Sequence, residues 1–325
     1  MSRWDDAFLG SLVADALAMP VHWYYDRKAL RRDYGTVDRY LAPRNPHPDS
    51  ILWRSRYTPP NPRGAILREQ AAYWGRRDVH YHQFLVAGEN TLNLRLACEV
   101  YRVVRHFGGY DADAWLGHYI TCMLTPGWHG DTYVEECHRG FFTHYAHGRP
   151  PRECGVEDGH IGGLAQVPAL LAALPPTDLL DRSSIVAEHV RLTHRHHEVI
   201  RAAETLVRIL HAIAGGTHLK DAIEREGEGW FSAHQAQAWT RLTDDIVVGE
   251  ELSPACYIGD AFPAALYIAW KYAEDFSAGV EANAMVGGDN CHRGAVVGAL
   301  LGAANGVPKR WLANLLSLEV LGAGS

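Results

Sequence analysis

The chain has no Cys-x-x-Cys pair, no apolar run of membrane-spanning length, no surplus of basic charge and hardly any alternating strand pattern. Its six cysteines, Cys98, Cys122, Cys137, Cys154, Cys256 and Cys291, are scattered through 325 residues. That spacing supports neither a zinc ribbon nor a small disulfide-stapled domain. No apolar segment approaches the roughly 20 residues that cross a bilayer. A formal charge of −7 argues against a general binder of nucleic acid or anionic membranes. The opening residues, Met1 to Asp6, lack the charged-then-apolar order of a signal peptide. These absences lead to the expectation of a reduced, cytoplasmic protein without nucleic-acid or membrane partners.

What is present is helical periodicity. Gly10, Ala14 and Ala18 are four residues apart and line one face of a first helix over 6–19, which Pro20 stops. Gly294, Gly298 and Gly302 repeat the spacing near the C-terminus. Glycine costs helix stability, so the repeat predicts close helix–helix contact and a central place for both helices. Further helices are expected over 91–106, 111–123, 131–146, 161–173, 183–192, 197–214, 231–246, 261–274, 276–285, 291–305 and 308–321. The stretch 24–82 is rich in proline, arginine and aromatics without a sustained period, and reads as a long irregular insertion with short helices. The fold class expected is all-α: one compact multi-helix domain over 1–325.

Chemistry concentrates in Gly287-Gly288-Asp289-Asn290-Cys291-His292-Arg293-Gly294, a glycine-lined turn opening a helix. Free N–H groups and the helix dipole favour negative charge there. Such a turn suits a metal, a bound anion or a cysteine thiolate. Cys-His-Arg-Gly also occurs at 137–140, but its flanks differ and no repeat is inferred. Asp131 in the Trp128–Tyr133 turn is expected to cap a helix.

Four segments, taken together, resemble the ADP-ribosylglycohydrolase superfamily. They are Phe8–Val21, which is similar to its Gly-Asp-Ala-Leu-Gly helix; Gly88-Glu89-Asn90-Thr91, where the family has Thr-Asp-Asp-Thr; Leu192–Glu198; and Ala261–Gly306, with Gly287–His292 where the family has Gly-Gly-Asp-Thr-Asp-Thr. The resemblance implies a compact orthogonal helical fold, two magnesium or manganese ions in a central cleft, and cleavage of a glycosidic bond of ADP-ribose. It also extends to J1-type crystallins, in which the fold serves structure.

The metal motifs are altered. The two aspartates of the first motif are replaced by Glu89 and Asn90. In the second, Asp289 persists while Cys291 and His292 stand for Asp and Thr. His22 stands where many members have a glutamate. Magnesium prefers hard oxygen ligands, and Cys291 and His292 are softer. These substitutions argue against a two-magnesium site. They leave either one divalent metal (Mg, Mn or Zn) on a subset of Glu89, Asp289, Cys291 and His292, or none. In the metal-free form Cys291 is a thiolate nucleophile with His22 as base, and Asp289 or Glu89 orients the histidine or stabilises an oxocarbenium-like centre. The alternative for Cys291 is inert packing. Asn90, Gly288, His160, Gly162 and Gly163 are candidate ligand contacts, and Tyr81–Gln83 is placed near the same cleft. The function expected is a hydrolase acting on a small-molecule or ADP-ribosylated substrate. The alternative is an inactive ligand-binding or crystallin-like protein.

Overall fold

Helices are the dominant element, and among the described residues only isolated β-bridges occur besides them. In the computed structural model, which describes residues 2–322, the helices are α1 (Arg3–Ala18), α2 (Arg27–Tyr34), α3 (Leu92–Phe107), α4 (Ala112–Leu124), α5 (Glu136–Ala146), α6 (Val167–Ala173), α7 (Leu179–Arg191), α8 (His197–Ala214), α9 (Leu219–Glu226), α10 (Ala233–Trp239), α11 (Asp244–Val247), α12 (Ile258–Lys271), α13 (Phe276–Met285), α14 (Asn290–Asn305) and α15 (Lys309–Leu312). No helix is long and apolar enough to cross a membrane.

Most departures from the expected elements lie at ends and breaks. The helix expected from 131 begins at Glu136, because Thr132 and Tyr133 donate to the Tyr81 carbonyl instead. The segment 231–246 splits into α10 and α11 around Thr240–Thr243. The 308–321 segment is a short α15 followed by a 3-10 turn over Leu316–Leu321. Helix α9 was not anticipated. The insertion carries α2 and three 3-10 turns.

Helices α1 and α14 form the centre of the molecule. Every residue of α14 from Asn290 to Ala303 is buried, as is α1 from Ala7 to Ala18. Neither needs a polar face, which is the pattern of a helix surrounded on all sides. Glycine permits their approach. A Cβ added at Gly298 would sit 2.1 Å from the Gly10 carbonyl oxygen, one at Gly10 would sit 2.0 Å from that of Gly298, and one at Gly302 would sit 2.3 Å from that of Asp6. Helices α12 and α13 pack on α14, α6 packs on α1, and α8 touches both central helices. The buried apolar residues form one cluster running from Ala7 to Leu315. The paired backbones thus fix where the N-terminal end of α14 emerges, with the 24–82 insertion beside it.

Gly298→Ala is expected to destabilise the protein by about 1–3 kcal/mol through overpacking against Gly10. Gly117→Ala, on α4 with nothing within 4 Å, is expected to stabilise it by about 0.5–1 kcal/mol. Denaturant unfolding of the two variants checks both signs.

Candidate active site

Two acids stand at the N-caps of two helices that converge on one cleft. Glu135 precedes α5 and Asp289 precedes α14, and neither side chain caps its own helix. Each instead faces the histidine three residues on. Asp289 Oδ1 lies 2.8 Å from His292 Nδ1, and Glu135 Oε2 lies 3.5 Å from His138 Nε2. The two Cys-His-Arg-Gly segments therefore occupy matching positions, each led by an acid.

His292 joins the two halves. Its Nδ1 faces Asp289, and its Nε2 lies 3.0 Å from Glu135 Oε1. Burial disfavours a charged ring, but the Asp289 and Glu135 carboxylates outweigh it and hold His292 well above the usual histidine range. Against the same burial penalty, His292 with His22 holds Asp289 well below the usual carboxylate range, and His292 with His138 does so for Glu135. The helix N-termini favour both anions further. Asn93 braces this centre, donating to Glu135 Oε2 at 2.6 Å and accepting from His138 Nε2 at 2.8 Å. Its amide nitrogen also lies 2.9 Å from His292 Nε2.

A second chain of hydrogen bonds approaches Asp289 from behind. His22 Nε2 lies 2.9 Å from Asp289 Oδ1, His22 Nδ1 lies 2.7 Å from His82 Nε2, and His82 Nδ1 meets Asp131 Oδ1. Burial pushes His22 and His82 down to about 4, and pushes Asp131 up to about 7. Neutral rings and an ionised Asp289 select one order of protons. Asp131 donates to His82, His82 to His22, and His22 to Asp289. Trp23 stacks on His22 with ring centroids 3.7 Å apart. It holds that position with φ of 59°, a strained backbone for a non-glycine residue.

The cleft opens over Asp289, Glu135 and His292. Trp23, Tyr25, Tyr81 and Tyr133 form aromatic walls, while Asp158, His160, Gly162, His194 and Cys256 line another side. Its space is about 130 Å³, comparable to the roughly 150 Å³ that admits a benzene ring. Gly162 can lie over the site because a Cβ there would already touch Asn93 and His292 at 3.4 and 3.9 Å.

Several expected site residues are placed elsewhere. Cys291 is fully buried, its thiol donates to the Asp15 carbonyl, and burial pushes it well above the usual thiol range. Both ring nitrogens of His22 are engaged, so it is not free to deprotonate Cys291. The nucleophile–base pair expected for the metal-free form is therefore corrected. Glu89 turns away, accepting from Val86 N and facing Arg95 at 3.7 Å. Asn90 is spent on the fold: it donates to Leu12 O and Asp15 Oδ2, and accepts from Ser317. Asp15 also takes Thr91 N and Oγ1, serving the α3 N-terminus that Thr91 itself leaves uncapped. Gly163 packs against Val199 and His194, and Gly288 against Pro254. His160 and Gly162 do line the cleft, with Asp289 and His292. Asp131 does not cap α5, whose N-cap is Glu135; it anchors His82 and also takes a backbone hydrogen bond from Leu92 at the start of α3. Glu135, Asn93, His138 and Cys256 went unrecognised, although the acid ahead of each Cys-His-Arg-Gly was a visible signal.

Groups able to hold a metal are present: the ligand atoms of His22, Asp289 and His292 lie within 4.8 Å of one another, as do those of His22, His82 and Cys291. The hydrogen bonds do not fit a pair of magnesium ions. His292 as an imidazolium offers no lone pair, His22 points a proton at Asp289, and Glu89 and Asn90 face away. The His292 ring lies between the two carboxylates, where it supplies the positive charge that they require.

Three comparisons place the chain among known proteins. The family described as ADP-ribosylglycohydrolase matches residues 1–323. Crystallin J1A of Tripedalia cystophora is 24% identical over 328 residues, which cover 94% of this chain and 89% of that protein. A solved structure titled ADP-ribosylglycohydrolase-related protein complex is 20% identical, with a TM-score of 0.54 over 100% of this chain and 98% of that one; this likeness speaks for the fold.

Stability should depend steeply on acid. Burial pushes His22, His47, His82 and His194 down to about 4 and His189 to about 3, from 6.5. The unfolded forms gain protons below pH 6.5 while the folded forms stay neutral, so the contribution of these five histidines is full above 6.5 and falls as pH drops toward 4. Each such group contributes about 1.4 kcal/mol per pH unit. Asp131, raised to about 7, opposes this by one proton. Denaturant midpoints should fall steeply between pH 6.5 and 4, with net uptake of several protons on unfolding. A flat midpoint across that window would contradict the assignment.

Proposed function

The chain belongs to the ADP-ribosylglycohydrolase family, and from that premise we propose that it hydrolyses a glycosidic bond of an ADP-ribosyl or related nucleoside-type substrate without a pair of divalent ions. The observation that carries this reading is the pair of ionised carboxylates, Glu135 and Asp289, held on either side of His292 at the floor of an aromatic cleft. Glycosidic cleavage develops positive charge at the anomeric carbon, and fixed carboxylates in a water-poor site stabilise it. Glu135 is the direct candidate, because its side chain is 17% exposed where that of Asp289 is 1%. Trp23, Tyr25, Tyr81 and Tyr133 offer faces for a base or sugar ring. Asp289, with the His22–His82–Asp131 chain behind it, positions His292 and so fixes Glu135.

A second reading is favoured by the match to Crystallin J1A along most of both chains: a non-catalytic protein that retains the fold for binding or structure. The two readings differ in what Glu135 does. Arginine- and serine-ADP-ribosylated peptides are offered to the purified protein with magnesium, manganese, zinc or chelator. The hydrolase reading expects turnover that chelator leaves intact, and a loss of about 10²–10³-fold in kcat for Glu135→Gln. No turnover and no ligand binding under every condition would leave the non-catalytic reading.

A further inference from the structure

Beyond Glu135 and Asp289, the cleft wall carries three buried side chains of metal-ligand type: Cys137, Asp158 and His194. Their ligand atoms lie within 4.8 Å of one another. Three separate segments bring them there. Val156 donates to Thr193 O at 3.0 Å and accepts from Arg195 N at 2.7 Å, a bridge that sets Asp158 beside His194. Helix α5 closes on this bridge through Gly140, where a Cβ would stand 2.6 Å from Val156 Cγ1, and its first turn delivers Cys137.

The Asp158 side chain is 2% exposed, and its Oδ2 has no hydrogen-bond partner among the described residues. His194 Nε2 stands 4.0 Å from that oxygen, beyond hydrogen-bond reach. A buried carboxylate oxygen in that position is costly unless a cation faces it. The outer atoms of both side chains are already held in place. Asp158 Oδ1 lies 2.7 Å from His160 Nδ1 and accepts the His160 backbone N–H at 3.0 Å. His194 Nδ1 lies 2.9 Å from Thr193 Oγ1. In the tautomer that donates from Nδ1 to Thr193, Nε2 carries the lone pair that a metal needs. The neighbouring group of Glu135, Cys137 and His138 shares the thiol. There, however, Tyr119 and Asn93 engage both His138 nitrogens, and His292 and Asn93 engage Glu135.

We propose that Cys137, Asp158 and His194 bind one zinc ion, with its fourth coordination position left to the cleft. Zinc bonds of about 2.0–2.3 Å in a tetrahedron set ligand atoms roughly 3.3–3.6 Å apart. The 4.0 Å between His194 Nε2 and Asp158 Oδ2 therefore closes by roughly 0.6 Å on binding. A thiolate and an imidazole are soft enough to favour zinc over magnesium or calcium. Charge also balances. The Cys137 thiol loses its proton to solvent as the Zn–S bond forms, and thiolate and carboxylate then offset the two charges of the ion. His194 adds none, because burial keeps it neutral at pH 7. Three protein ligands with one open position match the pattern of zinc sites that hold a water or a ligand donor atom. None of the three is assigned to glycosidic cleavage, and the site stands without that reading.

The full chain is stripped with chelator, dialysed and titrated at neutral pH with zinc against a chromophoric zinc chelator, and in parallel with cobalt(II). One zinc should bind per chain, and cobalt should show a thiolate-to-metal charge-transfer band with the intense visible absorption of a tetrahedral site. Cys137→Ser should abolish the charge-transfer band. Asp158→Asn and His194→Gln should each weaken zinc by about 100-fold or more, the upper end of what losing even an outer partner costs. Cys122→Ser and Cys291→Ser, which alter the other cysteine-containing groups, should leave the band in place. No zinc bound by the unaltered protein, or a cobalt spectrum without the thiolate band, overturns the site with no variant required. A band that survives Cys137→Ser, or zinc affinity indifferent to Asp158→Asn and His194→Gln, overturns the assignment of its ligands.

Discussion

The His292 imidazolium between Asp289 and Glu135 is the contact on which the other features of the cleft depend. Each of these charges alone would be costly to bury, by several kcal/mol even after relaxation. Together they are tolerable because every charge has an opposite neighbour at about 3 Å and two helix N-termini face the acids. Arg293, also fully buried, adds a further positive charge near Asp289 while donating to Asn283 and the Gly287 carbonyl. Removing one member would strand the others.

That cluster exists because α1 and α14 pack without side chains between them. The glycine contacts bring the start of α14 to a fixed height against α1, and α3 and α5 bring Asn93 and Glu135 to the same level. Asp15 of α1 consumes Asn90 and Thr91. The segment expected to supply the first metal motif is here largely part of the scaffold. The positive charge beside Glu135 and Asp289 comes from the His292 side chain, and Asp289 is engaged by both His22 and His292.

The helical fold was legible because its periodicities are long and its glycine repeats unambiguous. The cleft was legible only in outline. The turn at 287–294 pointed to the right place, and Asp289 and His292 are there. Cys291 misled, because adjacent helix positions face different sides and its side faces Asp15. Glu89 and Asn90 misled because alignment to a motif does not say which way a side chain turns. Glu135 was hidden in a segment read as helix interior, whereas Thr132 and Tyr133 bond to Tyr81 and delay the helix start. The meeting of segments 159–161 and 256–258 at the cleft depends on a two-bond bridge across almost a hundred residues, which no local pattern announces.

The central claim is that His292 is a buried cation doing the work of a bound metal charge. Nitrogen-15 NMR of the histidine ring in the intact protein tests it most directly. The account predicts that both His292 nitrogens carry protons at pH 8, with shifts that neither chelator nor added magnesium changes. A neutral His292 ring at that pH, or a ring nitrogen whose shift moves on addition of the metal, would contradict it.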